Sequence, residues 1–187
     1  MKLASRIAIA SFATTLSMVS ASQAVVFTGS LTQGDPTFNR PSSSVDLSGI
    51  GTAAAFDTFT FIAADSGPYS VAGAYTGGLD GYLFLYSPSF NPLAPLTNLQ
   101  AADDDFTAVT DSLIPSSDSF GPQTTDLTLT LTPGASYTLV VTAFSNANIS
   151  DGLGDYSVTV IGDVIPEPTV LGLLAGASIM ALRRRRA

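Results

Sequence analysis

The sequence predicts an all-β fold, an antiparallel β-sandwich or jelly roll of about six to eight short strands. Residues 56–61 alternate apolar and polar side chains, the pattern of a strand with one buried face. Further short runs are rich in Val, Thr, Leu and aromatic residues, and Gly/Pro-containing turns separate them. No segment between the two chain ends has helical periodicity, so the whole middle of the chain is predicted to be strand and turn.

The remaining predicted strands follow in chain order. The clearest are 69–75, 82–86, 127–131, 137–144 and 156–161, and weaker candidates are 25–31 and 108–114. Residues 32–55 are rich in Gly, Ser, Pro and Thr and show little periodicity, so we expect an extended arm there. The predicted organisation is an N-terminal arm with a first strand at 25–55 and a β-sandwich domain at 56–163.

The N-terminus has the parts of a secretory signal peptide. Lys2 and Arg6 form a basic start, and an apolar stretch covers residues 7–19. Ala21 and Ala24 offer small residues for cleavage, after either position. We therefore predict that residues 1–24 are a signal peptide and that the rest of the chain is exported.

The C-terminus carries three features in a fixed order. Pro166, Glu167 and Pro168 precede an uncharged run of 14 residues from 169 to 182, and four arginines follow: Arg183, Arg184, Arg185 and Arg186. As an α-helix the run would rise about 21 Å, a short span for a bilayer core of about 30 Å. Snorkelling arginines accommodate such a span, and the positive-inside rule keeps them cytoplasmic.

This order resembles the PEP-CTERM sorting signal. The resemblance implies recognition by exosortase, a membrane protease-transpeptidase of Gram-negative-type bacteria, with processing near Pro166, Glu167 and Pro168. It also implies transient anchoring in the inner membrane through residues 164–187, followed by release or attachment at the outer envelope or in extracellular polymer. The alternative is a plain, unprocessed membrane anchor.

Removing both ends leaves a strongly acidic domain. Of seven basic residues only Arg40 lies between residues 25 and 165, and of fifteen acidic residues only Glu167 lies outside, which leaves 14 Asp, one Arg and a net charge near −13. Such a surface cannot neutralise phosphates, so nucleic acid is not an expected partner. The chain has no Cys and no His, which excludes disulfides, thiol or Ser-His nucleophiles and ordinary zinc sites.

From residue 56 onward the chain resembles the bacterial pre-peptidase C-terminal domain group. The resemblance is carried by the segments 59–61, 66–69, 80–86, 90–92 and 103–105, by 131–141 and by the closing 154–156. It covers about 105 residues and implies a compact, secreted, non-catalytic β-sandwich. No protease domain accompanies it in this sequence.

The candidate site is acidic. Asp103, Asp104 and Asp105 are adjacent in sequence, and the family-like order implies that they lie near Asp80. Adjacent carboxylates repel one another unless a cation neutralises them, and calcium takes six to eight oxygen ligands in irregular loops. The alternative is a solvated turn whose aspartates cap backbone amides.

Four tyrosines, Tyr69, Tyr75, Tyr82 and Tyr86, have two interpretations. Strand alternation favours packing in the core, and the alternative is an exposed platform for stacking carbohydrate.

These features predict an exported, non-catalytic protein of the cell surface or extracellular matrix. Its expected partners are signal peptidase and exosortase during export, the membrane before processing, and extracellular polysaccharide. No cofactor is certain, and calcium is the candidate. The alternative function is a secreted carbohydrate-binding module, or a carbohydrate-active one that depends on Asp80 and Asp103 to Asp105. A permanently anchored inner-membrane protein is a third possibility.

Overall fold

The computed structural model describes residues 24–108, 110–115 and 129–166, and within them the chain is all-β with antiparallel sheets. The only helical element in these residues is a single 3-10 turn at Ser150–Gly152. The strands are β1 Ala24–Leu31, β2 Thr37–Phe38, β3 Ala54–Ala63, β4 Pro68–Thr76, β5 Gly81–Tyr86, β6 Leu99–Asp103, β7 Asp111–Ile114, β8 Leu129–Thr130, β9 Ser136–Ala143, β10 Gly154–Ile161 and β11 Val164–Pro166.

The first sheet has the strand order β1-β10-β4-β7, with β8 also paired to β4. Strand β10 lies between β1 and β4. It pairs with β1 along its whole length and with β4 on its other side. β1 shows the alternation of exposed and partly covered residues expected of a half-buried strand.

The second sheet has the order β11-β3-β9-β5-β6, with β2 also paired to β3. The predicted alternating segment 56–61 lies inside β3, which pairs with β9 over seven residues. β9 and β5 are central strands and are buried on both faces, which explains why they read as nearly continuous apolar runs.

One hydrophobic core joins the two sheets. It contains Leu31, Val71 and Val158 from the first sheet with Phe61 and Leu139 from the second, all at most 2% exposed. Aromatic rings also make contact between the two sheets. Phe27 of β1 stacks on Phe59 of β3 with ring centroids 4.6 Å apart. Two antiparallel sheets sharing a core are consistent with a β-sandwich, and we call this unit the two-sheet domain.

A second, aromatic cluster covers the other face of the second sheet. Phe38, from the segment predicted to be an arm, packs edge-to-face against Phe56, Phe84 and Phe90. Tyr82 and Phe84 stack 4.6 Å apart in β5 beneath this cover. The arm therefore covers one face of β5 and buries Tyr82, Phe84 and Tyr86, whereas Leu83 and Leu85 on the opposite face belong to the main core.

The all-β, antiparallel prediction is confirmed, but the described residues contain eleven strands where about six to eight were expected. The elements that were not predicted are β2, β6 and β11. β2 and β11 have only two and three residues, too few to show a period of two in the sequence.

The two predicted targeting segments fall almost entirely outside the described residues, in 1–23 and 167–187. Within the described part of the chain, no helix is both long enough and apolar enough to cross a membrane.

Candidate metal centre

The acidic residues meet at one end of the second sheet. Asp80 directly precedes β5, and Asp104 and Asp105 directly follow β6. These two strands are antiparallel neighbours in which Leu83 is paired with Asp103. The start of one strand therefore lies beside the end of the other, and residues far apart in sequence are brought to the same corner.

At this corner three carboxylates converge. One oxygen from each of Asp80, Asp104 and Asp105 lies within 4.8 Å of the other two. Asp80 and Asp104 are half-buried, whereas Asp105 is exposed. We call these three side chains the acidic triad. The acidic triad is therefore partly covered at Asp80 and Asp104 and open to solvent at Asp105.

Two oxygens of the acidic triad lack hydrogen bonds. Oδ1 of Asp80 and Oδ1 of Asp104 are buried, and neither has a hydrogen-bond partner in the described structure. Burying a carboxylate oxygen without a donor is costly, because the water that solvated it has not been replaced. A bound cation would remove that cost for both atoms at once.

Burial and the closeness of other carboxylates raise the pKa values of all three members of the acidic triad. Burial raises the pKa of Asp104 to about 7, and the neighbouring charge of Asp105 adds to the effect. Burial also raises the pKa of Asp80, with contributions from Asp105 and Asp151. The pKa of Asp105 is raised as well, mainly by desolvation. In the absence of a cation, the acidic triad therefore holds protons at a higher pH than ordinary aspartates do.

Arg40 is the counter-charge that the protein itself supplies. Its guanidinium is only 2% exposed and lies between two rings, 4.6 Å from the centroid of Tyr82 and 4.4 Å from that of Phe144. Nε donates a 2.8 Å hydrogen bond to the carbonyl of Phe144, and Nη1 donates one of 3.1 Å to that of Pro41. Its charge favours the ionised forms of Asp104 and Asp80, but one cation cannot balance three carboxylates.

Asp151 belongs to the same corner. Its backbone carbonyl accepts a 2.9 Å hydrogen bond from the amide of Asp80, and its Oδ2 accepts one of 3.1 Å from Ser145 Oγ. Its Oδ1 is buried without a hydrogen-bond partner in the described structure. Asp151 is outside the group whose oxygens lie within 4.8 Å of one another, so it acts on the acidic triad through its charge.

The donor set fits a hard cation. The acidic triad offers carboxylate oxygens alone, and the chain has no His or Cys to attract zinc or copper. Calcium accepts such oxygens in irregular geometry and completes its shell with backbone carbonyls and water. Asp80, Asp104 and Asp105 are the residues that would hold it.

Asp103 is not among the converging carboxylates. It is the last residue of β6 and only 1% exposed, and its Oδ2 accepts a 2.6 Å hydrogen bond from the amide of Leu113 in β7. β6 belongs to the second sheet and β7 to the first, so this bond ties the two sheets together. Strand alternation turns Asp103 inward and away from the acidic triad.

Arg40 and Asp151 were not predicted to belong to this site. Arg40 is the one basic residue between 25 and 165. In a segment with 14 aspartates, that position alone could have indicated an interaction with acidic side chains. Asp151 lies in a Gly-rich turn, and no local pattern distinguishes a turn aspartate with a buried oxygen from a solvated one.

The four tyrosines predicted to be core or platform are core. Tyr69, Tyr75, Tyr82 and Tyr86 are at most 6% exposed. The alternative of an exposed stacking platform is therefore wrong for these residues. Alternation accounts for two of them, and the aromatic cover described above buries Tyr82 and Tyr86 on the opposite face of the sheet.

The predicted sorting motif is divided by the boundary of the described residues. Pro166 is the last residue of β11 and pairs with Phe61 of β3. Glu167, Pro168 and the four arginines lie outside the described residues.

No protein-family model, curated protein or solved structure matches this chain.

Proposed function

We propose that this chain is an exported, non-catalytic protein of the cell surface or extracellular matrix, sorted by exosortase through its PEP-CTERM-like tail. The observation that carries the proposal is the order of the C-terminal residues. A Pro-Glu-Pro triplet, 14 uncharged residues and four consecutive arginines follow one another without a break. A signal peptide at the other end supports the same route.

The described fold supports this role in two ways. The described residues are all-β and the chain has no His or Cys, so its stability does not depend on disulfides or on a redox compartment. Its acidic surface also suits a cation-rich exterior. In this proposal the two-sheet domain is a β-sandwich or jelly roll, as in the pre-peptidase C-terminal group, and acts as a structural or binding module.

In the same proposal the acidic triad holds calcium. Support comes from the two buried carboxylate oxygens of Asp80 and Asp104 that have no hydrogen-bond donor. Calcium outside a cell is abundant enough to fill a site of modest affinity. Thermal melting of the purified protein with calcium and with chelator tests this part, and an unchanged melting temperature at millimolar calcium would refute it.

Cell fractionation tests the sorting proposal. Antibody against the two-sheet domain should detect the protein in the envelope or medium of the native host, and deletion of residues 166–187 should change that distribution. Deleting the exosortase of the same host should have the same effect. Full-length protein that remains in the cytoplasm of the unmodified host would contradict the proposal.

A second candidate function is carbohydrate binding at the acidic triad. One observation favours it: Phe106, directly after Asp105, is an aromatic side chain that is 45% exposed. A calcium ion beside an exposed ring is an arrangement that can bind sugar hydroxyls and stack on a sugar face. A glycan array with and without calcium would test it, with Phe106→Ala as the variant that should lose binding. A hydrolysis assay would separate binding from carbohydrate cleavage.

A further inference from the structure

The first residue of the predicted sorting motif is also the last residue of strand β11, at the end of the described residues. Strand β11 lies at an edge of the second sheet and pairs with β3 through Val164↔Ala63, Ile165↔Ile62 and Pro166↔Phe61. Pro166 is the first proline of the Pro-Glu-Pro triplet. The first residue of the segment that a processing enzyme would need to bind is therefore paired with the domain.

The start of β11 is firmly held. Val164 is 9% exposed and belongs to the main core. The preceding carbonyl, of Asp163, accepts a 2.8 Å hydrogen bond from the amide of Ala64 and a 2.6 Å hydrogen bond from Tyr69 Oη. Gly162 has a φ of 145° and lies against the ring of Tyr69, where a Cβ would overlap that ring. The chain therefore enters β11 in a fixed position.

The end of β11 is weakly held. Ile165 is 50% exposed, and Pro166 has no N–H to donate to the sheet. The strand has only three residues and lies at an edge of the sheet. Edge residues with few buried contacts open at the low end of the range of local stabilities. Ile165 and Pro166 can therefore separate from β3 while Val164 stays in the core.

The spacing to the predicted membrane segment is short. Only Glu167 and Pro168 separate Pro166 from Thr169, where the apolar run begins. Two residues span at most about 7 Å even when fully extended. A membrane protease that encloses an extended substrate is obstructed at this segment while Pro166 remains paired with Phe61, because the sheet occupies one side of the backbone.

We infer that β11 is a latch that controls processing of the tail. Exosortase would act only after Ile165 and Pro166 have separated from β3, so the rate of processing depends on opening of this strand. The inference rests on the proposed sorting function. It adds that the folded domain itself determines when its tail is available to the protease.

A cross-link between the two strands tests the latch. Ile62 and Ile165 are register partners, and antiparallel partners have Cα separations within the range of a disulfide. The chain has no native Cys, so the double variant Ile62→Cys/Ile165→Cys can form only this bond within a chain. A matched control is Val26→Cys/Thr159→Cys, which joins register partners of β1 and β10 in the first sheet.

The measurement is a pulse-chase of the full chain in the native host. Each sample is quenched and analysed by mass. All engineered cysteines lie N-terminal to the predicted processing region, so no disulfide retains the released tail. We expect the oxidised latch variant to be processed at least tenfold more slowly than wild type. The control cross-link and both single-Cys variants should be processed within twofold of wild type, and reductant in the chase should restore the latch variant.

A second variant distinguishes two reasons for slow processing: pairing of β11 with β3, and damage to the sorting motif by the cysteine substitutions. Inserting six Gly/Ser residues between Ile165 and Pro166 moves the whole motif beyond the sheet. Processing of this variant should be at least as fast as that of wild type, and the cross-link should no longer slow it. A cross-linked protein without the insertion that is processed as fast as wild type would overturn the latch alone. A wild-type chain that is never processed would overturn the sorting proposal, and the latch with it.

Discussion

Arg40 and Phe144 are joined by two contacts: Nε of Arg40 donates a 2.8 Å hydrogen bond to the carbonyl of Phe144, and the guanidinium lies 4.4 Å from the centroid of its ring. The amide of Phe144 in turn donates a 2.8 Å hydrogen bond to the carbonyl of Asp80. This chain of contacts connects the arm that covers the second sheet to the acidic triad. Arg40 therefore both fastens the arm and supplies charge to the site.

Replacing Arg40 should be costly for that reason. Arg40→Met keeps much of the side-chain volume but removes the charge and the donors, and we expect the free energy of unfolding to fall by about 3 kcal/mol. Arg40→Lys is the matched control, because it keeps the charge and loses the planar fork, and it should cost less. Chemical denaturation measures both. Equal stability of wild type and Arg40→Met would show that the arm does not depend on this contact.

Asp103 and Asp104 are neighbours in sequence with different roles, which gives a direct comparison. Asp104→Asn should abolish stabilisation by calcium, which we expect to be about 1–3 kcal/mol in wild type at a saturating concentration. Asp103→Asn should weaken the hydrogen bond to Leu113 and lower stability whether calcium is present or not. Melting of both variants with calcium and with chelator measures the difference. A calcium response that survives in Asp104→Asn but is lost in Asp103→Asn would reverse this assignment.

The raised pKa values predict how stability depends on pH without metal. The folded-state pKa of Asp104, about 7, lies above the ordinary value, so between about pH 4 and 7 the folded state holds a proton that the unfolded state has lost. Stability should therefore fall as pH rises through this window, by on the order of 1–2 kcal/mol once solvent screening of a half-buried group is allowed for. The lowered pKa of Asp111 acts below this window.

Denaturation in chelator across pH 4.5 to 8 (roughly the window above) measures this effect. Asp104→Asn should flatten the profile and should be more stable than metal-free wild type at the upper end. A wild-type stability that rises through the window would contradict the electrostatic description of the acidic triad.

A glycine in β1 tests the packing at the free edge of the first sheet. A Cβ on Gly29 would overlap the ring of Tyr156, and that ring is held by a 2.6 Å hydrogen bond from its hydroxyl to Asp57 Oδ2. Gly29→Ala should therefore destabilise the domain by about 1–3 kcal/mol. Gly49→Ala is the control, because a Cβ there meets nothing within 4 Å. Similar stabilities of the two variants would show that β1 can shift away from Tyr156 without cost.

The sequence was informative where side chains follow a local period. The alternation at 56–61 predicted β3, and the Tyr- and Leu-rich run at 82–86 predicted β5. β6 was missed, because Leu99–Asp103 is short and ends in the acidic run that was interpreted as a loop. The contact of Phe38 with the second sheet was also missed. Its strand, β2, has only two residues, which is too short to show a period of two.

The site shows the same limit. The adjacency of Asp103, Asp104 and Asp105 is visible in the sequence, but the pleat of β6 turns the first of them into the core while the other two continue beyond the strand. The approach of Asp80 depends on the pairing of β5 with β6, and the placement of Arg40 depends on the path of the arm. Both are long-range relationships that no local pattern encodes.

The mass of the mature C-terminus tests the central claim of export and sorting most directly. Protein isolated from the envelope or medium of the native host should end near Pro166, Glu167 and Pro168, and peptides from the apolar run and from Arg183 to Arg186 should be absent. Its N-terminus should follow Ala21 or Ala24. A chain that retains the four arginines at its C-terminus and Met1 at its N-terminus would contradict the account.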